Sequence, residues 1–134
     1  MTDSELKNAV FSAISAGLDA DFWADNALKQ NAAYNSAKND LFARVSGLSL
    51  DTITAAIQTP VIMAIAEQAL YLLRNYEEQA SGPGIAAESV DGISITYSGN
   101  GGDSIMSPRS LAYIDQIKAE MKRAAISGIR FIRG

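Results

Sequence analysis

The sequence predicts a mainly α-helical protein, a bundle of four to five helices with one β-hairpin before the last helix and a strand-like C-terminal tail. Three observations carry this. Apolar residues recur at helical spacing over most of the chain; a Gly-Pro-Gly break is followed by a switch to a period of two; and the last five residues before Gly134, Ile129-Arg130-Phe131-Ile132-Arg133, intersperse apolar with basic. With 134 residues, 48% of them apolar and 19% charged, the chain is one globular domain's worth.

The first helix begins near Thr2, which has capping-box spacing to Glu5. Leu6, Val10 and Ile14 form its stripe, with Phe11 and Leu18 beside them, and Gly17 marks its end. A second helix is expected from about Asp21 to Ser46, buried through Phe22, Trp23, Ala27, Tyr34, Ala37, Leu41 and Val45, with Gly47 after it. Ser49 or Asp51 can cap a short helix through Ile53 and Ile57. Thr59-Pro60 then reads as a cap and first helical residue, opening an apolar helix to about Gln79. Apolar side chains surround most of that helix, so it must be covered on most sides, either by its own chain or by a second copy.

Ser81-Gly82-Pro83-Gly84 ends it. Ile85–Val90 and Ile93–Tyr97 flank Asp91-Gly92, a two-residue turn that closes a hairpin. A lone hairpin is marginal in water and needs a helix or another chain's strands. Ser107-Pro108 starts the last helix, with Leu111, Ile114, Ile117, Met121 and Ala125 on one side and an end near Gly128. Ile129 to Arg133 then reads as a free strand suited to extending another protein's sheet, or as a frayed terminus. The divisions are 1–84 helical, 85–98 hairpin, 99–106 flexible loop, 107–127 last helix and 128–134 tail, all in one domain, 1–134.

The chain has no cysteine and no histidine. Disulfides, thiolate chemistry and cysteine metal sites are excluded, and the commonest general base and metal ligand are missing. Neither catalytic nor metal-binding residues are expected, nor a cofactor. The Gly-rich loop Asn100-Gly101-Gly102-Asp103 lacks the Lys-Ser/Thr ending of a phosphate-binding loop and follows a hairpin strand, so it reads as a connector. Asp19, Asp21 and Asp25 lack the glycine and terminal Glu of a calcium loop. Glu77 and Glu78 adjoin and so point to different faces of their helix, a poor acid–base pair.

Charge divides sharply. Residues 1–117 carry six Lys/Arg against fourteen Asp/Glu; residues 118–134 carry five against one. The basic end suits an acidic partner, or is a solvated helix end. Lys118, Lys122 and Arg123 form a ridge without interleaved aromatics, which argues against specific nucleic-acid reading. No apolar run approaches the length of a membrane span, and no signal-peptide pattern opens the chain, so synthesis in the cytoplasm is expected.

The order of features adds more. Pro60-Val61-Ile62 leads to Leu70-Tyr71-Leu72-Leu73-Arg74-Asn75-Tyr76-Glu77-Glu78, then a Gly-rich break, Ala87-Glu88-Ser89-Val90-Asp91-Gly92-Ile93-Ser94-Ile95-Thr96-Tyr97-Ser98, a loop, and Ser107-Pro108-Arg109 with a closing helix. This succession, over residues 60–127, resembles the head–tail connector (adaptor) family of long-tailed bacteriophages. The turn here reads Asp91-Gly92 where Gly-Asp is the commoner order, which leaves the hairpin register open.

The resemblance implies a structural virion protein, not an enzyme, made in the host cytoplasm and placed in the neck between head and tail. It implies a homo-oligomeric ring, dodecameric as a rule in that family, bound beneath the portal protein and facing a stopper or tail-terminator protein. Genomic DNA would pass through its channel without sequence-specific binding. On that reading Ile129, Arg130, Phe131, Ile132 and Arg133 bind the portal as an added strand. Asp91, Gly92, Ile93, Ile95 and Tyr97 meet the neighbouring subunit, and Asn100, Gly101, Gly102 and Asp103 face the tail or the channel. The alternatives are another neck or tail-completion protein of the stopper type, richer in strands, and a small DNA-binding regulator, which needs a coherent basic face.

Overall fold

Residues 1–80 and 106–133 are described in the computed structural model, with side chains described over 1–75 and 106–125. Five α-helices occur among them: α1 (Asp3–Gly17), α2 (Ala20–Asp25), α3 (Gln30–Arg44), α4 (Ala55–Ala80) and α5 (Pro108–Arg133). Single 3-10 turns lie at Ala27–Lys29 and Leu50–Thr52. No strand occurs among the described residues. The expected hairpin, 85–98, and the loop lie outside them, except Met106, which is buried in the core.

α1 follows its sequence signals. Thr2 accepts from the Glu5 backbone N–H and donates its own backbone N–H to the Glu5 carboxylate, and Leu6, Val10 and Ile14 are buried. Backbone bonding from the Thr2 N–H holds the Glu5 carboxyl below its usual range.

The single helix expected from Asp21 to Ser46 is instead broken. Asn26 donates its side-chain amide to the Phe22 carbonyl at 2.8 Å, and Gln30 donates to the Trp23 carbonyl at 2.8 Å. Side-chain amides thus take carbonyls that a continuous helix would have given to backbone N–H groups. The chain turns there; Ala27, expected in the stripe, is exposed, while Trp23, Tyr34, Ala37, Leu41 and Val45 are buried as expected. Gly47 adopts φ +85°, the left-handed conformation in which glycine meets no Cβ penalty. Ser49 caps as expected, but its short helix is one 3-10 turn.

Thr59-Pro60 does not start α4. The helix begins at Ala55 and carries Pro60 inside it. Proline is most at home in a first helical turn, and Pro60 comes one turn later, where it cannot donate to the Ala56 carbonyl. The gain is five residues of extra helix and the burial of Ile57.

α4 is the axis of the fold, packed against α1, α3 and α5. From Ala64 to Leu70 every residue is buried, as are Leu72 and Leu73. The stretch Ala55–Asn75 is long and apolar enough to cross a membrane by length and composition, unlike the sequence expectation, but most of it is buried against the rest of the chain. Of the two ways of covering this helix, its own chain supplies the cover. Each fully buried Leu or Ile here stabilises the fold by about 1.5–3 kcal/mol.

The tail corrects another expectation. Residues 129–133 are not a strand but the last turns of α5. Five residues are too few to fix a period, and the adjacent Phe131 and Ile132 break the alternation a strand needs; prolonging a formed helix needs no new nucleus, whereas a strand without a partner leaves its backbone unpaired. Gly128 within the helix costs about 1 kcal/mol, too little to stop it.

Candidate functional site

Two buried polar contacts set the register of the long helices. Gln68, fully buried in α4, accepts the Ser107 backbone N–H at 2.7 Å through its side-chain oxygen and donates its amide to Asp40 of α3 at 3.2 Å. One turn along, the Ser110 hydroxyl donates to the Ala64 carbonyl at 2.9 Å. Glu67 and Gln68 interrupt the apolar sequence of α4, yet the structure buries both. Ser107 also caps α5, accepting from the Ser110 N–H at 3.5 Å.

With Ala64 opposite Ser110 and Gln68 opposite Ser107, α4 and α5 run antiparallel and staggered. α5 therefore continues for about thirteen residues, about 20 Å, past the first residue of α4. Lys122, Arg123, Ala124 and Ala125, a full turn, are all exposed. At the helical period Ala124 continues the face of Ile114, Ile117 and Met121, while Arg123 lies on another. The predicted portal-binding residues Ile129, Arg130, Phe131, Ile132 and Arg133 thus belong to a basic, amphipathic helical end. The predicted interface residues Asp91, Gly92, Ile93, Ile95 and Tyr97 lie outside the described residues, as do Asn100, Gly101, Gly102 and Asp103.

Between α1 and α3, the Tyr34 hydroxyl and the Lys38 ammonium both donate to one Asp3 carboxylate oxygen at 2.8 Å, tying the two helices together. Hydrogen bonds from Lys38 and then Tyr34 hold the Asp3 carboxyl below its usual range. Burial, with Asp3 adding to it, pushes the Tyr34 phenol well above its usual value. Phe11 meets Trp23 and Tyr34 edge-on, at 5.1 and 6.2 Å.

Among the hollows on the described surface are two that border α4 and α5 together. A polar one of about 590 Å³ lies among Asp19, Glu67, Tyr71, Arg74, Ser107 and Arg109. There Arg74 pairs with Asp19 at 2.6 Å and lies over the Phe22 ring, and Arg109 approaches the buried Glu67 at 3.7 Å. Its charges are matched in pairs, and no nucleophile beside a base is among them. A second groove of about 360 Å³ runs between the start of α4 and α5, with Ala56, Ile57, Met121 and Ala124 as its apolar lining and Glu120 and Arg123 at its rim. No group of three acids close enough to hold a metal ion occurs among the described residues.

Leu28, in the 3-10 turn between α2 and α3, is as exposed as a side chain can be, at 101% of its reference area. Nothing in the sequence marks it, because its exposure follows from the break at Asn26. Comparison with known protein families, curated proteins and solved structures finds no match to this chain.

Proposed function

We propose that this chain is a ring-forming head–tail connector of a tailed bacteriophage, joining a portal to a stopper or tail protein. The resemblance over residues 60–127 is the starting point of the reading. The observation that supports it in the structure is the staggered α5, which continues past the first residue of α4 and exposes Lys122 and Arg123 in the turn before its last residues. A helical body with the Ser107-Pro108 start to its closing helix agrees with what the resemblance implies. Because α4 is covered by its own chain, the ring has to be held by surface contacts and not by an exposed core helix.

Docking on the portal follows the helix-in-groove mode instead of strand addition. The last turns of α5 lay an apolar stripe on the portal while Arg130 and Arg133 pair with its acids. Asp91, Gly92, Ile93, Ile95 and Tyr97 remain the proposed neighbour contacts, and the 100–103 loop the proposed contact with tail or channel. Deleting residues 128–134 removes the gripping turns and leaves every buried residue described above in place, so the shortened chain should melt within a few degrees of the full chain and fail to bind portal. Undiminished portal binding by that truncation overturns the proposal.

A further inference from the structure

We draw no further inference here: the strongest candidate, the polar groove in front of the buried Glu67 between the end of α1, α4 and the start of α5, has its carboxylates already paired, Asp19 with Arg74 and Glu67 with Arg109, and nothing in the structure shows what covers it.

Discussion

Gln68 and Ser107 are joined by a 2.7 Å hydrogen bond inside the core, from the Ser107 backbone N–H to the Gln68 side-chain oxygen. The residue that looks least at home in the apolar helix α4 therefore fixes where α5 begins. The same amide reaches Asp40, so three helices are held in one register by a single side chain.

Gln68→Leu keeps the volume and removes both bonds, stranding the Ser107 N–H without water. The expected loss of stability is about 1–3 kcal/mol, read from the midpoint of urea unfolding at unchanged slope. A loss below about 0.5 kcal/mol would mean that packing alone sets the register.

The junction of Asp3, Tyr34 and Lys38 predicts how stability changes with pH. Asp3 is held below its usual range in the fold, so its contribution is present above the unfolded value near 4 and disappears as pH falls through the lower, folded value. Asp3→Asn should flatten the acid side of a plot of melting temperature against pH. Tyr34 is pushed upward, so its contribution is complete below about pH 10 and is lost as pH rises toward the higher, folded value. Tyr34→Phe should remove that alkaline decline, at a cost near neutrality of about 1 kcal/mol. Parallel acid limbs for Asp3→Asn and the parent would refute the assignment.

Burial separates two leucines of opposite character. Leu73 is fully buried on α4, and Leu73→Ala should destabilise the fold by about 2–5 kcal/mol. Leu28 touches water on every side, and Leu28→Ala should change stability by no more than about 0.5 kcal/mol. Thermal unfolding of the two variants side by side checks both, and a large effect at Leu28 would contradict its exposure.

Where one turn of chain carried its own decision, the sequence was readable. Thr2 with Glu5, the Leu6–Val10–Ile14 stripe and Ser107-Pro108 all have the structure their spacing announces. The break at Asn26 was hidden because it depends on side-chain amides from Asn26 and Gln30 winning two carbonyls, and either residue is acceptable inside a helix. Pro60 misled in the other direction, since packing of Ile57 rewards helix upstream of it. At the tail the two periods competed over too few residues. The groove by Met121 and the exposure of Leu28 were illegible for a deeper reason: both arise from the relative placement of elements distant in sequence, and local pattern says nothing about that.

The offset between α4 and α5 gives the molecule unlike extremities. One end is formed by the C-terminal turns of α4, the other by the C-terminal turns of α5 with their arginines. Such a body is an arrow and not a rod. Copies that associate side by side in one orientation would all point the same way, and whatever they build would present two chemically different rims, each free to choose its own neighbour.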